Sequence, residues 1–213
     1  MISDPVQSPG GRSEKKRQRT ADKLAAVAFT LFERFGFESV TMDQIAAEAG
    51  VVRATLYNHF RVKEALLDHY FKIEFETGSE ALVAEVGKQL GLENQLNSLF
   101  DAFSNWAATK RAYLPYCLDY GLKLSTRHSD RAASRGLQQL FSSFLLRALE
   151  NGEIATNADI AALAHYLEHL YFAATLRWLV SEEPSPKREC RRMLGLFLNG
   201  VRSSIDCSKQ RPI

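Results

Sequence analysis

His165, Glu168 and His169 stand at the three-and-four spacing that puts three metal-ligating groups on one turn of a helix. The run His165-Tyr166-Leu167-Glu168-His169 has the H-x-x-E-H form, in which two imidazoles hold zinc and the acid serves as general base. That chemistry is metal-assisted hydrolysis, and it needs a further carboxylate ligand downstream. Only Glu182, Glu183, Glu189 and Asp206 follow, and no substrate cleft is indicated, so a zinc-dependent hydrolase is the remote alternative. The expectation is a chain that is not an enzyme, with no catalytic residue, no metal and no cofactor. A second constellation offers different chemistry. Arg53, Thr55, Tyr57, Asn58 and His59 are all hydrogen-bonding types, and only Arg53 is formally charged at neutral pH. A merely solvated helix would more often carry Glu and Lys in those places. The mixture suits a helix in the major groove of DNA, where Arg pairs with guanine, Thr meets a thymine methyl, and Tyr or His holds phosphate.

Three short elements must position that second group. Leu24, Val27, Ala28, Leu31, Phe32 and Phe35 recur at the spacing of one apolar helical stripe, which Gly36 stops. Thr41 followed by Gln44 is a capping box, so a second helix begins near Met42 and buries Met42, Ile45, Ala46 and Ala49. Gly50 suits the left-handed backbone of a sharp helix end. The third helix, roughly Arg53 to Phe60, has only Leu56 and Phe60 as strong core positions. Its other faces are left for contacts.

Residues 20 to 67 resemble the DNA-binding domain of the TetR family of bacterial transcriptional regulators. The resemblance rests on Thr41-Met42-Asp43-Gln44-Ile45-Ala46, on Thr55-Leu56-Tyr57-Asn58-His59-Phe60, and on Lys63-Glu64-Ala65-Leu66-Leu67. It implies operator contacts at Thr41, Met42, Arg53, Ala54, Thr55, Tyr57, Asn58, His59 and Lys63. Of these, Thr41, Tyr57, His59 and Lys63 would hold phosphates, while Arg53 and Thr55 would read bases. Val52 departs from the pattern, because the family often caps this helix with Ser or Thr. The implied fold is all-α, with an N-terminal three-helix helix-turn-helix DNA-binding domain and a C-terminal helical ligand-binding and dimerisation domain. The implied function is a homodimeric repressor released from a near-palindromic operator by a small molecule; a ligand-assisted repressor or an activator is the alternative.

Charge and composition agree with that reading. Residues 1–64 carry ten Lys or Arg against eight acids, whereas residues 65–213 carry seventeen against seventeen. Arg12, Lys15, Lys16, Arg17, Arg19 and Lys23 follow a Pro- and Gly-containing start, so residues 1–19 are expected to be a disordered basic arm supplying salt-sensitive contacts. Residues 20–66 are then the DNA-binding domain and 67–213 the effector-binding and dimerisation domain. Cys117, Cys190 and Cys207 are widely spaced and odd in number, which indicates neither a disulfide framework nor a zinc finger. A reducing bacterial cytoplasm fits, nucleoid-associated when DNA is bound. No apolar run approaches the ~20 residues that span a bilayer, and no membrane partner is expected.

From residue 62 onward the period is helical, with a break expected near Thr77-Gly78 and further helices over 93–110, 116–125, 131–150, 158–180 and 186–205. The helix over 158–180 carries two apolar stripes, Leu167, Tyr171, Ala174 and Trp178 on one side and His165, His169, Phe172 and Leu176 on another. The last helix carries Leu194, Phe197 and Val201 on one side and Met193, Leu196 and Gly200 on another. Helices that are apolar on two sides are buried on two sides. By the resemblance, Leu167, Tyr171, Ala174 and Trp178 with Leu194, Phe197 and Val201 would meet their copies in a homodimer. The remaining aromatics suggest a cavity for a small apolar or aromatic effector, with Phe103, Trp106, Phe141, Phe144 and Phe172 as its apolar walls. Tyr113, Tyr116, Tyr120, His165 and His169 would supply polar tips.

Overall fold

Local rules account for most helix ends in the N-terminal third. The computed structural model describes residues 9–125, 135–155, 157–182 and 185–206, and among them it contains nine helices and no strand. Helix α1 (Pro9–Phe35) opens on proline, whose fixed φ suits the first helical position. The disordered-arm reading of residues 1–19 is therefore corrected from Pro9 onward, while its first eight positions lie outside the described residues. Lys, Arg, Gln and Glu are good helix formers, and Gln18 Nε2 donates to Asp22 Oδ1 at 2.9 Å one turn along.

Gly36, at φ 82°, ends α1. Helix α2 (Met42–Glu48) then starts on the capping box, with the Thr41 N–H donating to Gln44 Oε1 at 2.8 Å and the Gln44 N–H donating to Thr41 Oγ1 at 3.2 Å. Gly50, at φ 68°, turns the chain toward α3 (Arg53–His59). Val52 occupies the α3 cap position and makes no side-chain bond there, having no hydroxyl to make it. Leu24, Ala28, Leu31, Phe32, Ile45, Ala46, Ala49, Leu56 and Phe60 form the shared core. Val27 and Met42 are half-buried, and Phe35 is 56% exposed because it is the last residue of its helix; Ala25 and Phe29 complete the buried side instead.

Helix α4 (Lys63–Val86) closes this core with buried Leu66, Leu67 and Phe71. Tyr70 stacks on Phe29 with ring centroids 4.1 Å apart, and His69 Nε2 lies 2.8 Å from Asp22 Oδ1. Since residues 66–71 pack on α1, the division between compact units falls between Thr77 and Gly78, later than the 66/67 boundary read from sequence. The break expected at Thr77-Gly78 is a stretch of continuous helix. Glu74, Glu76, Glu80 and Ala81 favour helix on both sides of that glycine.

The second unit, residues 78–213, continues through α5 (Leu92–Thr109), α6 (Leu114–Ser125), α7 (Arg135–Glu150), α8 (Ile160–Leu179) and α9 (Pro186–Asp206). Pro115 sits in the first turn of α6, where its missing N–H costs nothing. Asp159 caps α8 by accepting the Ala162 N–H at 3.0 Å. The start of the helix expected over 131–150, and Cys207, lie outside the described residues.

Helices α5, α7, α8 and α9 pack together around Phe100, Phe103, Phe141, Phe144, Tyr171 and Phe197. Trp178 is 1% exposed against Ala107 and Leu114. The Arg111 guanidinium lies 4.5 Å over its ring and donates to the Leu179 carbonyl at the end of α8 and to the Ser181 carbonyl just past it. The seven residues expected at a dimer contact, Leu167, Tyr171, Ala174 and Trp178 on α8 with Leu194, Phe197 and Val201 on α9, are all core of the single chain, so their assignment to a contact between copies is corrected. On α8 the stripe that reaches solvent is the other one, His165, His169, Phe172 and Leu176, whereas on α9 Leu196 is exposed and Met193 is buried.

Candidate nucleic-acid interface

Helix α3 has an inner edge, a solvent face and two flanks. Leu56 is fully buried and Phe60 nearly so, which turns Arg53, Ala54, Tyr57 and Asn58 outward together. Thr55 and His59 are half-buried on the flank. Thr41 is exposed and Met42 half-buried at the start of α2, so both ends of the helix pair contribute to one surface.

Arg53 is held in place. Its Nε donates to Asp43 Oδ1 at 2.9 Å, and its guanidinium carbon lies 5.5 Å from the Tyr57 ring centroid. The Tyr57 hydroxyl, and after it the Asp43 carboxylate, hold the guanidinium pKa above its usual value. With Nε committed to Asp43, the terminal nitrogens keep the planar pair of donors that suits guanine O6 and N7. Asp43 was not among the residues read from the sequence as contacts. It lies ten positions before Arg53, and only the fold of α2 against α3 brings the two together.

The other expected contacts divide by what they already bind. Lys63 Nζ donates to the Phe37 carbonyl at 2.7 Å and the Glu38 carbonyl at 3.3 Å, and lies 4.7 Å from the Phe37 ring centroid. Two of its three donors thus tie the α1–α2 loop to the start of α4. Lys23, counted above as arm charge, donates to the Ala49 carbonyl at 3.0 Å and closes the end of α2. Burial, then Arg17 and His69, push the His59 imidazole below its ordinary pKa, so near neutral pH it presents a neutral N–H.

The residues expected to line an effector cavity do not form one group. Phe103, Phe141 and Phe144 are core, with the Phe100 ring centroid 5.7 Å from Phe141, 6.0 Å from Phe103 and 5.5 Å from Tyr171. Rings at those separations fill the space themselves, so these three are corrected from cavity wall to core. Trp106, Tyr113, Tyr116 and Tyr120 are half-buried on α5, α6 and their connection, while His165, His169 and Phe172 are exposed on α8. A cleft of about 210 Å³ in this unit is lined by Leu92, Glu153, Ile154, Leu198 and Val201 instead.

Comparison with known proteins agrees with the geometry of the first unit. Residues 24–70 match the sequence profile described as bacterial regulatory proteins, tetR family. An uncharacterised helix-turn-helix transcriptional regulator of Bacillus subtilis, YezE, is 23% identical over 155 residues, covering 70% of this chain and 80% of the relative. The transcriptional repressor KstR2 of Rhodococcus jostii is 31% identical over 72 residues, which span 34% of this chain and 33% of that one. The crystal structure of Thermus thermophilus FadR, a repressor of the same family in complex with lauroyl-CoA, superposes with a TM-score of 0.70 at 24% identity, over 85% of this chain and 94% of that one. That last likeness is one of fold.

Proposed function

We propose, from the premise that the chain belongs to the TetR family of bacterial transcriptional regulators, that it is a homodimeric repressor which leaves a near-palindromic operator when a small molecule binds its second unit. The observation that carries this reading is the solvent face of α3. Arg53, Ala54, Tyr57 and Asn58 share it, and Asp43 aims the one formal charge among them. Arg53 reads bases, while Thr41, Met42, Tyr57 and His59 set the register against phosphates and sugars. Thr55, half-buried, meets a base at the edge of the footprint. Lys63 acts mainly by holding the loop that carries α2, with one donor left for a phosphate.

Two such heads read one operator only if two chains associate. The second copy meets the exposed apolar residues of α8, Tyr166, Leu170, Phe172 and Leu176, together with Leu196 of α9. A two-fold contact of this kind sets half-sites one or more helical turns apart. The effector is small and apolar or aromatic, and it engages the half-buried Trp106, Tyr113, Tyr116 and Tyr120. A fold of this type accommodates a fatty acyl thioester in the Thermus relative, which supports an apolar ligand here. Release follows only if the effector prefers the conformation that misplaces the heads, and bound operator must then weaken effector binding by the same factor. Such a regulator works in the bacterial cytoplasm, on the nucleoid.

Selection of bound duplexes from a random DNA pool, at one stated salt concentration, tests the reading. Enrichment of a near-palindrome is expected. Retention of all duplexes alike, with affinity that follows only the salt concentration, would exclude sequence-specific regulation.

A further inference from the structure

We propose that His165, Glu168 and His169 form a binding site for a divalent transition-metal ion on α8, separate from the DNA-reading surface. The three side chains each offer a ligand atom, and these atoms lie within 4.8 Å of one another. Metal ligands about 2 Å from a shared ion stand somewhat closer than that, so small rotations of two exposed imidazoles complete the set. His165 and His169 are exposed with ring centroids 4.2 Å apart, whereas Glu168 is fully buried between their backbone positions. In the single chain the ion would sit at the surface of α8, on the face that also carries Phe172 and Leu176, with two imidazoles on the outer side and the carboxylate on the inner.

One imidazole is already oriented. His169 Nδ1–H donates to the His165 carbonyl at 2.8 Å, which leaves the Nε2 lone pair for an ion, the arrangement common to metal-bound histidines. Gln138 Nε2 on α7 lies 2.7 Å from His165 Nδ1, and a half-turn of the amide, which puts its oxygen in that place, lets Gln138 accept Nδ1–H and frees His165 Nε2 for the ion. Two neutral nitrogens and one carboxylate suit zinc, cobalt, nickel or copper rather than calcium or magnesium. Three ligands from one helix turn leave positions open to water. Among the described residues the group consists of these three side chains, and the role assigned to it is binding.

The test uses the full chain without a histidine tag, treated with chelator and titrated with Co²⁺. The expected result is visible d–d absorption bands saturating at one ion per chain and abolished by added Zn²⁺. His165→Ala and His169→Ala should each weaken Co²⁺ binding at least about tenfold, the scale on which even supporting partners of a ligand act. Both positions are exposed, so an unchanged helical circular dichroism spectrum identifies lost ligation rather than lost fold. Glu168→Gln should reduce the absorption similarly; if burial makes that variant fail to fold, the histidine variants still decide. Absence of the bands, or cobalt binding equal in the wild type and both histidine variants, would overturn the proposal.

Discussion

At the scale of single residues, Arg53 and Lys63 are held in different ways. Arg53 exposes its terminal donors, so Arg53→Ala should lower operator affinity on the order of tenfold to a hundredfold and relax preference at one base position. Lys63 is held by two carbonyls, so Lys63→Met should keep contact with Phe37 and lose the ionic hydrogen bonds. That change is expected to cost the first unit about 1.5 kcal/mol and weaken all duplexes alike. Anisotropy titrations on operator and scrambled duplexes, with urea unfolding, separate the two; loss of base preference in the Lys63 variant would reverse the assignment. Asp68 supplies a pH prediction. Burial raises its carboxyl pKa, against smaller opposing effects of Lys72 and His69. A carboxyl with a folded pKa above its unfolded one binds more protons when folded, so its contribution to stability falls as pH rises from the unfolded to the folded value. Asp68→Asn should therefore raise the thermal midpoint at pH 7 and do little near pH 4. A stabilisation as large at pH 4 would point to something other than the charge.

At the scale of elements, helix ends in the first unit follow side-chain chemistry closely. The Thr41 and Gln44 pair forms the reciprocal bonds that its spacing predicts, and Thr41→Ala should cost about 1 kcal/mol. The start of α3 lacks such a bond, and Val52 already has the extended backbone of a cap residue, φ −71° and ψ 148°. Val52→Ser should hence stabilise the unit by roughly 0.5–1 kcal/mol. Urea midpoints measured side by side check both, and a destabilised Val52→Ser would show that the exposed valine packs on something that the helix start does not reveal.

At the scale of the whole molecule, the stripes of α8 and α9 that the resemblance assigned to a contact between copies are core of the single chain. Trp178 is 1% exposed and Leu176 is 50% exposed two residues away. Trp178→Ala should cost about 3–5 kcal/mol by opening the core. Leu176→Glu should leave the fold intact and drive the protein to monomers, with loss of tight operator binding. Light scattering and circular dichroism distinguish the two outcomes, and a Leu176→Glu dimer of unchanged stability would remove this stripe from the contact.

The helical class and the three N-terminal elements were legible in the residues themselves. Those depend on local spacing: Thr41 to Gln44, the glycines at 36 and 50, and the apolar positions Leu56 and Phe60. Tertiary structure decided whatever depends on which side of a two-sided helix faces inward. Periodicity shows that α8 has two apolar stripes, and only the packing of α5, α7 and α9 against one of them selects Leu167, Tyr171, Ala174 and Trp178 as core. It likewise joined Arg53 to Asp43 and Lys63 to the Phe37 carbonyl, and turned three supposed cavity aromatics into core. Contacts between residues distant in sequence leave no trace in local spacing, because they exist only once the helices pack.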